Sequence, residues 1–191
     1  MEALLISAAT VALAELGDKT QLLAFMLAAR FRKPLPIVLG ILVATLANHG
    51  IAGALGVWIT SALSPMTLRW VLGLSFIAIA AWMFVPDKID GAEDRKLRFG
   101  VFGTTLACFF LAEMGDKTQI ATIALAARFH DLVAVVVGTT LGMMLANVPA
   151  VYLGERFAQR MPNRLLHGVA AAVFALLGLA TLLGMGRAFG L

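Results

Sequence analysis

The chain has 191 residues and a formal net charge of +4; 61% of it is hydrophobic and only 14% charged. A water-soluble domain is typically about 45–50% apolar and about 25% charged, so too little polar surface exists here to coat a globule. That excludes a soluble enzyme, a disordered chain and a disulfide-rich secreted domain, and leaves an integral membrane protein whose basic excess speaks of orientation and not of nucleic acid.

Apolar stretches run, in chain order, over 3–29, 35–62, 67–85, 99–127, 132–154 and 166–185. Each is long enough to cross a bilayer core with some tilt. None alternates with period two as barrel strands do, so helices are expected throughout. Met1-Glu2 is not a basic leader and no small-residue cleavage site follows, so the first stretch reads as a retained span. Arg30-Phe31-Arg32-Lys33-Pro34 closes it, and Ser64-Pro65 closes the second. The polar stretch from Pro86 to Arg98 carries eight charged residues. Arg128 to Asp131 parts the fourth and fifth stretches, and Glu155 to Arg164 the fifth and sixth. Cys108 is the single cysteine and lies in the fourth stretch, so no intrachain disulfide exists.

With six alternating spans, ten basic residues fall on one side: Arg30, Arg32, Lys33, Lys88, Arg95, Lys96, Arg98, Arg156, Arg160 and Arg164. Arg69, Arg128 and Arg187 fall on the other. The positive-inside rule assigns the first side to the cytoplasm and both termini outside it.

An internal repeat organises the chain. Glu15-Leu-Gly-Asp-Lys-Thr-Gln21 returns as Glu113-Met-Gly-Asp-Lys-Thr-Gln119, and Leu27-Ala-Ala-Arg-Phe31 as Leu125-Ala-Ala-Arg-Phe129. The offset of 98 also pairs Gly40 with Gly138 and Gly56 with Gly154. Three spans per half is an odd number, so the second half enters the membrane inverted. Transporters built this way place their sites near the midplane, between the halves. The expected fold is therefore all-α, with six transmembrane helices as two inverted three-helix repeats. Residues 1–85 form the first repeat, 86–98 a charged cytoplasmic linker and 99–191 the second repeat. A duplicated scaffold without transport is the structural alternative.

Of eleven acidic residues, Glu15, Asp18, Glu113 and Asp116 lie deep in apolar spans. A charge at a helix centre costs at least ~2.5–3.5 kcal/mol on insertion scales, so such residues mark function by default. The i, i+3 spacing sets both acids of a pair on one helical face. Inverted halves can bring the two faces together into a cage of four carboxylates. Hard oxygen donors suit Mg²⁺, Ca²⁺ and Mn²⁺, and crowded carboxylates also take up protons. Metal and protons then compete, which points to divalent cation/proton exchange. Cys108 lies about 140° round the helix from Glu113 and faces elsewhere.

Lys19 and Lys117 are expected as counter-ions that hold the empty site. The structural alternative makes Glu15–Lys19 and Glu113–Lys117 ordinary i, i+4 ion pairs, and makes Asp18 and Asp116 caps of helices broken at Gly17 and Gly115. Gln21 and Gln119 are further ligand or supporting candidates. Thr20 and Thr118 point away unless the helix unwinds at the glycine. Asn48, His49 and Asn147 lie in spans two and five; they either surround the cluster or bond helix to helix. Gly40, Gly50, Gly53, Gly56, Gly138, Gly142 and Gly154 are expected to permit close packing or hinging. Met143-Met144 is read as core.

The twin motif resembles the cation/proton exchangers that carry two E-x-G-D-[KR]-[ST] sequences, known from Golgi and chloroplast membranes and from bacterial manganese exporters. Both copies match: Glu15, Gly17, Asp18, Lys19, Thr20 and Glu113, Gly115, Asp116, Lys117, Thr118. The resemblance implies Mn²⁺ or Ca²⁺ as transported substrate and not as cofactor, protons as counter-substrate, and Glu15, Asp18, Glu113 and Asp116 as the cation site. The chain lacks the long central loop of eukaryotic members, so the resemblance implies a bacterial plasma-membrane exporter of Mn²⁺. A small organic-solute exporter, for a basic amino acid, and an uncoupled cation channel are the rival functions. An enzyme is not expected, since no nucleophile–base arrangement accompanies the acids. Oligomeric state is not legible.

Overall fold

A computed structural model of the protein describes residues 1–85, 100–153 and 163–184, with side chains from 167 onward in the last stretch. The linker 86–98, Gly154, Arg156, Arg160, the Arg164 side chain and Arg187 lie outside the described residues. Among the described residues there are eight helices and no strand. They are α1 (Glu2–Glu15), α2 (Lys19–Phe31), α3 (Pro34–Ala62), α4 (Pro65–Trp82), α5 (Gly100–Glu113), α6 (Lys117–Phe129), α7 (Leu132–Leu153) and α8 (Asn163–Leu182).

The first and fourth apolar stretches are not continuous helices. Each breaks inside its motif, because Gly17 and Gly115 adopt φ of +84° and +77°. Glycine reaches that region without steric cost, where another residue loses roughly 1–2 kcal/mol. Each break leaves a fresh set of helix-end N–H and C=O groups within the fold. Asp18 and Asp116 become the residues that start α2 and α6. The halves close alike too: Arg32 and His130 both turn to φ +53° after the second helix.

Packing follows the repeat. The helix α1 lies along α7 and α5 along α3, while α4 packs on α8. A Cβ on Gly138 would meet the Leu4 carbonyl at 2.5 Å and Ser7 Cβ at 3.0 Å. A Cβ on Gly40 would meet the Phe102 carbonyl at 3.0 Å and Thr105 Cβ at 2.8 Å. Leu4 with Phe102 and Ser7 with Thr105 are again pairs at the offset of 98, so one close contact is built twice. Phe76 stacks on its own equivalent, Phe174, with centroids 6.3 Å apart. Gly50, by contrast, has open space where a Cβ would stand, among the described residues.

Gly138→Val is therefore expected to destabilise by about 1–3 kcal/mol, since backbone cannot give way as a side-chain tip can. Gly115→Ala meets no atom within 4 Å and is expected to show only backbone strain, about 1 kcal/mol. Thermal unfolding in detergent checks both; a larger loss in Gly115→Ala would contradict the packing argument.

The solvent logic of a globule is reversed here. Leu35, Val43, Ile51, Trp58, Leu74, Val133 and Leu145 are exposed, while Ser7, Thr10, Thr45, Asn48, His49, Thr139 and Asn147 are buried. Water-facing surfaces rarely carry such continuous apolar area; a lipid-facing one requires it. Among the described residues, α3, α4 and α7 are long and apolar enough to cross a membrane, with mean hydropathy 1.8, 1.4 and 1.8. Gly100–Glu113 and His167–Leu182 are apolar but shorter.

Candidate functional site

The two breaks meet in the interior. Glu15 ends α1, and Asp18 opens α2 with its side chain accepting the Lys19 N–H at 2.9 Å. Asp116 opens α6 from the other half. Carboxylate oxygens of Glu15, Asp18 and Asp116 lie within 4.8 Å of one another, and all three residues are buried. The positive ends of α2 and α6 favour negative charge here.

Glu113, expected as the fourth member, stands outside that trio. Its Oε1 accepts from Thr45 Oγ1 at 3.0 Å, and its Oε2 is 4.0 Å from His49 Nε2. The cause is that equivalent acids have different neighbours. Glu15 accepts a hydrogen bond from Thr20 of its own motif. The equivalent Thr118 hydroxyl makes no such bond to Glu113, and Glu113 turns to α3 instead. Thr45 was not legible as a site residue: it is uncharged and outside the motif. Its place one turn before Asn48 and His49 on the same helix is the signal that was there.

Both lysines reach across the repeat. Lys19 Nζ lies 3.0 Å from Asp116 Oδ1, and Lys117 Nζ lies 3.7 Å from Asp18 Oδ1. The i, i+4 alternative presumed an unbroken helix, and residues 15 and 19 no longer share one. Lys117 is 1% exposed and Lys19 23%. The capping alternative for the aspartates is realised in position, but it does not exhaust them, because each also carries a lysine from the opposite half.

Gln21 and Gln119 clamp the breaks. Gln21 Oε1 accepts from Gly17 N at 3.0 Å and Gln119 Oε1 from Gly115 N at 2.7 Å. The Gln21 amide also donates to the Ala146 carbonyl at 3.0 Å. Their oxygens are thus committed to backbone in this conformation. Asn48 donates to the Phe110 carbonyl at 3.0 Å, joining α3 to α5. Asn147 donates to the Met143 carbonyl at 3.1 Å and to its sulfur at 2.9 Å, within α7. Met143 is fully buried, and Cys108 is buried in an apolar cluster with Phe109 and Ile41.

Buried polar atoms nearly always have partners. Glu15 Oε1 and Asp116 Oδ2, two oxygens of the trio's own residues, have none. Unmatched carboxylate oxygens beside two ammonium groups can accept a hard cation or protons.

Known proteins bear on this geometry as follows. The family described as "Divalent cation/proton antiporter GDT1" matches residues 3–91 and 101–188. A Vibrio cholerae protein named "Putative manganese exporter" is 53% identical over 182 residues, covering 95% of this chain and 90% of its own length. A GDT1-like protein of Synechocystis is 29% identical over 185 residues, covering 87% of this chain and 89% of its own. "GDT1-like protein 3" of Oryza sativa is 28% identical over 200 residues, covering 91% and 71%. No solved structure matches. The matched stretches include both motifs and nearly all of both halves, and this chain, a multi-pass membrane protein, belongs to the GDT1 family of divalent cation/proton antiporters.

Proposed function

We propose that the protein exports Mn²⁺ from the bacterial cytoplasm in exchange for protons, with Ca²⁺ as the second candidate cargo. The observation that carries this reading is the buried group of Glu15, Asp18 and Asp116, tied by lysines of opposite halves. The metal rests on the name of the Vibrio relative and on the hard oxygen donors.

In this reading the chain makes six spans, with α1–α2 and α5–α6 each crossing as one broken span. The 14 and 13 residues of α1 and α2 rise about 40 Å together, enough for a core of about 30 Å. Residues 1–85 and 99–191 are then inverted repeats, with both termini outside the cytoplasm. Broken helices at the midplane are what such transporters use to bind ions.

The mechanism is alternating access. In the empty site Lys19 and Lys117 neutralise part of the carboxylate charge. The trio together with the bordering Glu113, set against two lysines, carries a formal −2, which one divalent cation or two protons balance. A cation arriving from the cytoplasm displaces the ammonium groups from the aspartates. Protons arriving from outside compete for the same oxygens and release the cation there. Glu113, with Thr45 and His49, borders the site, and Asn48 and Asn147 hold the helices around it. Gln21 and Gln119 keep the breaks open.

Equilibrium binding to the purified protein tests the cargo. Mn²⁺ is expected to bind, Ca²⁺ to displace it, and arginine or lysine as free amino acids to leave it in place. Displacement by the amino acids would favour an organic-cation exporter instead.

A further inference from the structure

A second polar region lies at the opposite end of α6 from the carboxylates. A cavity of about 660 Å³ opens where the start of α4 meets the ends of α6 and α8. Leu68, Leu72 and Leu183 form apolar wall, and Arg69, Arg128 and His130 supply the charge-bearing groups. No acid lines it among the described residues, and none of their carboxylates pairs with either arginine within 4 Å. Glu2 acts on Arg128 only from further off.

The Arg128 guanidinium is held in place on α8, and Arg69 lies near the end of that same helix. Arg128 Nη1 donates to the Leu177 carbonyl at 3.0 Å and to Thr181 Oγ1 at 2.7 Å, fixing it against α8. Arg69 reaches the turn after α8, where a Cβ on Gly184 would lie 3.2 Å from its Nη1. Arg69 Nε and Arg128 Nε are both buried and without a hydrogen-bond partner. A half-buried guanidinium with no carboxylate beside it favours an anion from outside the chain. Guanidinium forks match phosphate oxygens in charge and geometry. Basic pockets between spans recognise acidic lipid headgroups in the same way.

We propose that this cavity binds a phosphate-bearing anion through Arg69 and Arg128. An acidic phospholipid headgroup is the source its apolar wall favours, with the acyl chain lying along Leu68 and Leu183. Bound there, the lipid would tie α4 to the ends of α6 and α8, so occupancy would stabilise the contact between the two halves.

Native mass spectrometry of the full-length, delipidated protein tests this with three probes: phosphatidylglycerol, phosphatidylcholine and inorganic phosphate. One phosphatidylglycerol is expected to be retained in preference to phosphatidylcholine. Arg69→Gln is expected to weaken retention about fivefold while Mn²⁺ binding at the carboxylates is unchanged. Arg128→Gln also removes the anchor to α8, so its thermal stability is read alongside. A rise in thermal stability with inorganic phosphate, lost in Arg69→Gln and with no lipid retained, assigns the free anion as the source. Equal retention of both lipids, equal retention by Arg69→Gln, or no response to any probe overturns the proposal.

Discussion

Asp116→Asn is expected to abolish Mn²⁺-driven proton movement while the protein still folds. Asparagine keeps the size of the side chain at the start of α6 and still serves as a helix cap. It removes the negative charge that lies beside Glu15, Asp18 and Lys19. Losing a supporting residue around a metal typically costs 10–100-fold in affinity, so losing a member of the trio should cost about a hundredfold or more. Glu113→Gln is the informative contrast. Glu113 bonds to Thr45 outside the trio, and its loss is expected to weaken Mn²⁺ binding by about tenfold at most. Mn²⁺ titration of both variants, with circular dichroism as the folding control, gives the comparison. Equal losses would place Glu113 on the cation, and full activity in Asp116→Asn would remove that residue from the site.

Lys117→Met has the second large effect, and its two consequences run in opposite directions. Lys117 is almost wholly buried and lies 3.7 Å from Asp18 Oδ1. Removing one partner of a buried pair destabilises by about 3–5 kcal/mol, because the remaining charge is uncompensated. The empty variant should therefore unfold at lower temperature. Yet the internal cation that competes with Mn²⁺ is gone, so Mn²⁺ should bind more tightly and leave more slowly. Ligand that binds only the folded state raises stability with its affinity, so Mn²⁺ should raise the melting temperature more in Lys117→Met than in wild type. A smaller rise than in wild type would show that Lys117 helps to hold the metal and does not compete with it.

Much of this was legible in the sequence because membrane chemistry leaves strong marks. Four acids in apolar spans stand out against their cost, and the offset of 98 joins them without any structure. The helical class followed from apolar stretches with no alternation. The helix breaks were harder to read. Gly17 and Gly115 lie in otherwise apolar runs, and hydropathy does not register a positive φ. Treating both stretches as continuous placed Glu15 and Asp18 on one helical face; in the structure they sit on two helix ends. The same assumption underlay the structural alternative that paired Glu15 with Lys19 and Glu113 with Lys117. A side chain at a break can turn across to the opposite half, as Lys19 does to Asp116. The different settings of Glu15 and Glu113 were only faintly legible. The motifs themselves carry no sign of them; the one mark is that the residues at the offset of 98 from Thr45 and His49 are Met143 and Asn147.

The central claim is that metal and protons exchange at one buried carboxylate site. Its most direct measurement uses purified protein in liposomes with a pH-sensitive dye inside and Mn²⁺ added outside. The account predicts that Mn²⁺ uptake drives protons out, so the interior becomes alkaline, and that Asp18→Asn loses both movements together. Mn²⁺ uptake with no pH change, or with the pH change surviving in Asp18→Asn, would contradict it.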